Sequence, residues 1–259
     1  MSSSLQTLIR DLHRRRGRER RGLAVAEGVR LVEEALAAGV AIRGAAASPA
    51  LEATTRGKAL KAALLDRGIR VADVSDSELV TLADTEHPQG IVAVIEPRRW
   101  TLDDIRLLPG SAVLALDGVQ DPGNVGTMLR TALGLGATGV VALKGTADLT
   151  NSKVIRGGMG ASFRLPAVAS TAEELVAWAR LQRAEIWVAD AAGETSDRLP
   201  PRTVQRPPVV LVVGNEGSGI GPAVAAAAHR RIAIRQAAGV ESLNVAVAAG
   251  ILLHEVTRD

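Results

Sequence analysis

The sequence predicts an α/β protein in two parts, a small mixed domain followed by a larger one on a mostly parallel sheet. Three observations predict it. Residues 112–116, 139–143, 186–189 and 209–213 are short runs of Val, Ile, Leu and Ala without polar alternation, as in strands buried on both faces. Helical periodicity separates such runs, with Val125, Met128, Leu129, Ala132 and Leu133 at the i, i+3, i+4, i+7, i+8 positions of one face. Finally, Pro97, Arg98, Arg99, Trp100 and Pro109 interrupt the apolar pattern and read as a linker.

In the first part, residues 29–38 form an amphipathic helix ending at Gly39, and residues 55–67 another, stopped by Gly68. Residues 69–74 and 91–95 read as strands. The expected divisions are a domain over residues 1–97, a linker over 98–109 and a second domain over 110–259. A last helix runs from about Ser242 to Val256. Alternating strands and helices gather loops at the strand ends, where ligands bind.

Composition narrows the function. Of 259 residues, 47% are hydrophobic and 23% charged, which is globular rather than disordered. No apolar run reaches the roughly 18–20 residues that span a bilayer, and the start lacks a signal-peptide core, so a cytoplasmic protein is expected. Without cysteine, disulfides, thiolate metal sites and cysteine nucleophiles are excluded, and no metal is expected. Arg10, Arg14, Arg15, Arg16, Arg18, Arg20 and Arg21 crowd one short stretch against Asp11 and Glu19. Guanidinium groups pair bidentately with phosphate, so the run favours nucleic acid, against the plainer reading of a solvated terminus. With no Tyr and one Phe, an aromatic platform for single strands is not expected; shape and phosphate contacts are.

Chemistry concentrates in three segments. The first, from Asp117 to Arg130, leaves a strand through Asp121-Pro122-Gly123-Asn124 into a helix, with Asn124 as the expected N-cap and Arg130 off the apolar stripe. The second, from Val209 to Pro222, packs four glycines after a strand around Glu216. Its order is neither a dinucleotide fingerprint nor a P-loop. The third, from Ile232 to Ala248, brings Glu241, Ser242 and Asn244 to a helix start. Ser242 suits an N-cap there, whereas Asn244 is a poor helix former with no evident local task.

Together these segments resemble the three motifs of the SpoU/TrmH group of SPOUT methyltransferases: Asn124-Val-Gly-x-x-x-Arg130, Gly214-Asn-Glu216-Gly217 and Glu241-Ser-Leu-Asn244-Val-Ala-Val. The basic start and Val25-Ala-Glu27-Gly28-Val-Arg30 resemble the L30e-like substrate-binding domain that often precedes the catalytic one. The resemblance implies a trefoil-knotted C-terminal domain, a homodimer, and S-adenosylmethionine held by Gly214, Glu216, Gly217, Ile234, Leu243 and Asn244. It implies transfer to a ribose 2′-hydroxyl of structured RNA, ribosomal or transfer, with ribosomal RNA favoured. Asn124, Arg130, Glu216, Ser242 and Asn244 would serve catalysis, and the arginine run with Arg30 would hold RNA. The alternatives are an RNA-binding protein that keeps the fold without catalysis, and a methyltransferase for another substrate. Two departures from the family pattern stand out: Arg235-Gln236 where Pro-Met is common, and Gly158 where serine is common.

Overall fold

A computed structural model describes residues 2–199, 205–215, 217–237 and 242–258. In chain order the helices and strands begin with α1 (Ser2–Leu12), α2 (Arg15–Arg21), β1 (Ala24–Glu27), α3 (Val29–Ala37), β2 (Ala41–Ala47), α4 (Pro49–Glu52) and α5 (Thr55–Asp66). β3 (Val71–Asp73), α6 (Asp76–Leu82), β4 (Ile91–Glu96), β5 (Ala112–Asp117), α7 (Pro122–Gly134), β6 (Gly139–Leu143) and α8 (Ser152–Gly157) follow. The chain ends with β7 (Ala167–Ser170), α9 (Ala172–Leu181), β8 (Glu185–Thr195), β9 (Val209–Gly214), α10 (Pro222–Ala226), β10 (Arg230–Ala233) and α11 (Val245–Thr257).

Contacts divide the chain into two units, Met1–Arg98 with Thr150–Arg164, and Arg99–Leu149 with Leu165–Asp259. The expected linker therefore belongs to the second unit, where Trp100, Leu102, Ile105 and Leu107 pack on the core. Thr150–Arg164, read from the sequence as part of the second domain, makes its contacts in the first. Ile155 and Phe163, each 2% exposed, join that unit's core beside Leu31, Leu60 and Leu64. A local pattern shows that these side chains are buried without showing against what.

The first unit holds a four-stranded sheet in the order β1-β4-β2-β3, antiparallel except for β2–β3. Its arginine-rich start is helical rather than frayed, because arginine is a good helix former and Ile9 and Leu12 are buried at 0% and 1% exposure. The second unit holds a six-stranded sheet, β10-β8-β9-β5-β6-β7, with every neighbouring pair parallel. Along β5, Val113 and Ala115 face a core shared with Leu175 and Trp178 of α9. Leu114 and Leu116, equally buried, alternate to the opposite face. Each such leucine stabilises the fold by roughly 1.5–3 kcal/mol. α9 starts at a capping box in which the Glu174 N–H donates to Thr171 Oγ1 at 3.2 Å and the Thr171 N–H donates to Glu174 Oε2 at 2.9 Å.

One polar cluster sets a pH dependence for the first unit. His13 Nε2–H donates to the Leu82 carbonyl at 2.8 Å, and Nδ1 lies 3.1 Å from Asp84 Oδ1. With Nε2 committed to a carbonyl, bonding at Nδ1 requires a second proton. Asp84 accordingly raises the His13 pKa against the opposing effect of burial, with the Leu82 carbonyl and Glu27 adding to it. His13, then Ser152 and Arg156, hold Asp84 far below the usual carboxylate range despite its desolvation. The Asp84 contribution is complete above its ordinary pKa near ~4, and that of His13 is complete below ~6.5 and lost as pH rises through the raised value. The urea midpoint of the first unit should therefore fall as pH rises above about 6.5 and through the raised His13 value. His13→Gln should flatten that fall, and an equally steep decline in the variant would exclude the pair as its source.

Candidate active site

Parallel strands deliver their C-terminal ends to one edge of the second sheet, where β5 ends at Asp117 and β9 at Gly214. Asp117 Oδ2 accepts from the Gly221 N–H at 2.7 Å, and Asn215 Nδ2 donates to the Gly118 carbonyl at 3.0 Å. Asn215 Oδ1 also accepts from the Gly217 and Ser218 N–H groups at 2.8 and 3.1 Å. The glycine loop is thus tied to β5 by side chains at both of its ends. Gly214 is required by space: a Cβ there would lie 2.4 Å from the Gly219 carbonyl oxygen and 2.5 Å from its carbon. Sequence reasoning did not single out Asp117 or Asn215, although a carboxylate at a strand end and an amide beside Gly214 were the available signals.

Two expected helix caps differ in the structure. Asp121, not Asn124, caps α7, its side chain accepting from the Asn124 N–H at 2.7 Å. Pro122 is pre-set for the first helical position and lacks an N–H, so the cap is the residue before it. At α11 the cap is Asn244, not Ser242: Asn244 Oδ1 accepts from the Ala246 and Val247 N–H groups at 2.9 and 3.3 Å. Asn244 therefore has a local task after all. Ser242 is exposed, and Leu243 is half-buried beside the cap.

These caps bring Asn124 and Asn244 together across 120 residues, Asn244 Nδ2 donating to Asn124 Oδ1 at 3.1 Å. The network fixes both amides. Asn244 Oδ1 is taken by two backbone donors, so its amino group must face Asn124. Asn124 then meets it with oxygen and keeps its own Nδ2 as an outward donor. Arg130 is exposed on α7 and has no polar partner among the described residues. Six residues from Asn124 correspond to about 9 Å of rise and about 240° of rotation, so the two Cα atoms do not share a helix face. Leu133, assigned above to the buried stripe, is 38% exposed.

Residues 111–254 match the model of the SpoU rRNA Methylase family, and residues 7–93 match the MRM3-like substrate binding domain. The chain belongs to the SpoU rRNA methylase family. In Bacillus subtilis, 23S rRNA (guanosine(2553)-2′-O)-methyltransferase RlmP is 31% identical over 246 residues, covering 95% of this chain and 92% of that protein. Mouse mitochondrial rRNA methyltransferase 3 is 30% identical, with 99% of this chain and 71% of that protein covered. The AdoMet-bound rRNA methyltransferase of Sinorhizobium meliloti superimposes with a TM-score of 0.86 at 31% identity, covering 97% and 93% of the two chains. The α/β class and the parallel second sheet expected from the sequence agree with this family.

The residues at the strand ends suit the family's cofactor, S-adenosylmethionine. Among the described residues, the backbone groups of residues 234–237, which follow β10, have no hydrogen-bond partner. Gln236 Oε1 is buried there with none either, an acceptor that an adenine amine could satisfy. One departure from the family pattern thus supplies a polar atom to this loop, whereas its neighbour Arg235 is exposed. Ile234 is half-buried at the start of the loop, and Gly217 is exposed in the glycine loop. Glu216, like Glu241, lies outside the described residues. Gly158, the other departure, has φ −73°, a backbone any residue adopts. No cluster suited to a metal ion occurs among the described residues.

The arginine run divides into different tasks. Arg18 is 5% exposed, and its Nη1 donates to the Leu12 and His13 carbonyls at 3.1 and 3.0 Å. Arg21 and Arg20 pair with Asp11 at 2.7 and 2.8 Å and lower its pKa. Arg15 pairs with Glu19 at 2.7 Å, and Arg10 donates to Thr81 Oγ1 at 3.2 Å. The side chains of Arg14 and Arg16, and of Arg30 beyond the run, have no polar partner among the described residues.

Proposed function

We propose that this protein methylates a ribose 2′-hydroxyl of ribosomal RNA, using S-adenosylmethionine. The observation that carries this reading is the joining of Asn124 and Asn244 across 120 residues in a chain of the SpoU rRNA methylase family. S-adenosylmethionine supplies an electrophilic methyl group. The residues of this chain must hold the acceptor oxygen in line with it and receive the hydroxyl proton. Asn124 Nδ2 donates to an RNA oxygen and so fixes its direction; a neutral amide is too weak a base to take the proton. Guanidinium, with a pKa above about 12, is a poor base, so Arg130 clamps a substrate phosphate. Glu216 is the proton acceptor and Gly214, Glu216, Gly217, Ile234, Leu243 and Asn244 form the cofactor cradle. Ser242 lines its mouth.

The active form is a homodimer with a trefoil-knotted second unit, working in the cytoplasm. β9 lies between β5 and β8, both of which precede it in the chain. Val247 and Ile251, one turn apart on α11, are 52% and 39% exposed, and with Leu133 they leave apolar surface for a second copy. Arg130, turned away from Asn124, then serves the site of that copy. No helix among the described residues is long and apolar enough to cross a membrane. Arg14, Arg16 and Arg30 contact RNA directly, while Arg10, Arg15, Arg20 and Arg21 contribute charge to the same surface.

The test is methyl transfer from labelled S-adenosylmethionine to ribosomal RNA lacking the modification, with transfer RNA as comparison. Arg130→Ala should lower single-turnover transfer by about 100-fold or more at saturating substrates, with cofactor affinity by calorimetry unchanged. Equal rates for variant and wild type would remove Arg130 from catalysis. A protein that binds RNA but neither binds nor consumes the cofactor would overturn the function.

A further inference from the structure

Within the first unit, a cleft of about 160 Å³ opens between the end of β1, the start of α3, the loop of residues 84–89 and the end of α8. Sites for drug-sized molecules run to roughly 300–1,000 Å³, so this one suits a single ring system, with a charged group held at its rim by the exposed Arg30 and the part-exposed Arg156, rather than a whole cofactor. Leu31, 2% exposed, and Met159 provide its apolar lining. Met159 has a φ of 48°, in the left-handed region that side chains rarely adopt. Such strain costs on the order of 1–3 kcal/mol and persists where the surroundings impose it, as they do in ligand clamps. Methionine sulfur also packs favourably on aromatic rings.

Most of the polar side-chain groups that remain available in the lining are hydrogen-bond donors. Gln89 Oε1 accepts from the Val29 N–H at 3.3 Å, which leaves its amino group free to donate. Arg156 reaches Glu27 through one nitrogen at 3.5 Å, and Arg30 has no polar partner among the described residues. Glu27, the one carboxylate in the lining, is 5% exposed and engages the Asp84 N–H at 2.8 Å, the Thr85 hydroxyl and Arg156. A ligand therefore meets two guanidinium groups, an amide donor and the imidazole of His87 around an apolar surface. That combination selects an anion carried on a flat ring.

We propose that this cleft takes one unpaired nucleotide of the RNA substrate. Its phosphate lies on Arg30 and Arg156, its base rests against Met159 and Leu31, and Gln89 Nε2 donates to the base edge. The proposal rests on RNA being the substrate, as argued above. It adds to the arginines of α1 and α2 a contact that only a base outside a duplex can make. Methionine and arginine here take the part that aromatic rings play in stacking platforms, in a chain with one Phe and no Tyr.

The chain's three methionines make a direct test possible. Full-length protein labelled with ¹³C-methyl methionine is titrated with CMP, GMP and inorganic phosphate, the Met159 signal being identified by Met159→Leu. Both nucleotides should move the Met159 methyl saturably, phosphate alone should not, and Met128, 0% exposed in the second unit, should stay in place. Arg30→Glu, at an exposed position, should weaken nucleotide binding about tenfold. A silent Met159, an equal response to phosphate, or an unchanged titration in Arg30→Glu would overturn the proposal. Calorimetry with S-adenosylmethionine on the same sample separates the two readings. Cofactor binding with a silent Met159 sinks only the cleft, whereas absent cofactor binding with a responding Met159 sinks only the methyltransferase.

Discussion

Asn244→Asp is expected to cut methyl transfer by about 10²–10³-fold, the usual loss when one preorganised donor is removed, while α11 keeps its cap. Aspartate caps helices as well as asparagine, and its charge favours a helix N-terminus, so stability should hold within about 0.5 kcal/mol. Aspartate cannot donate, however. The bond from Asn244 Nδ2 to Asn124 Oδ1 is lost, and Asn124 turns its amino group inward toward the new carboxylate. Oxygen then faces the RNA where a donor stood. Asn124→Asp should lose the same outward donor without disturbing Asn244. Single-turnover rates at saturating RNA and cofactor read both variants; rates within about threefold of wild type would show that amide orientation does not matter.

Gly214→Ala should weaken S-adenosylmethionine binding by about 10- to 100-fold, the equivalent of overpacking by 1–3 kcal/mol. The added methyl would sit 2.4 Å from the Gly219 oxygen and 2.8 Å from Ile220 Cγ1, and the first of these is backbone that cannot rotate away. Asn215 and Asp117 tie the same loop to β5, so the strain opens the cradle instead of dissipating along the chain. Calorimetry measures the loss. The His13-dependent transition of the first unit serves as an internal control, because Gly214 lies in the second unit. Unchanged cofactor affinity would mean that the loop does not hold the cofactor.

Much of the second unit was legible before folding was considered. β5, β6 and β9 are unbroken apolar runs, and a strand buried on both faces needs no polar alternation. In the first unit β1 and β2 were harder to see, since Ala24–Glu27 and Ala41–Ala47 are alanine-rich, and β1 is also short. Alanine has little strand preference; β4 pairs with both strands and sets their place. Helix starts were misassigned by two or three residues for a related reason. Capping residues stand close together at Asp121–Asn124, where Pro122 ranks them, and at Ser242–Asn244, where local preference does not.

By itself the sequence determined the alternation of strands and helices, the glycine loop, and the presence of Asn124, Arg130, Glu216 and Asn244 in three separate segments. Only the tertiary structure decided that Asn244 orients the Asn124 amide and that Asp117 holds Gly221. The same is true of Arg18, which turns inward, and of Thr150–Arg164, which packs with the first unit. The physical reason is range. Periodicity, turns and caps are fixed by neighbours within a few residues, whereas the direction of a hydrogen bond depends on a partner a hundred residues away.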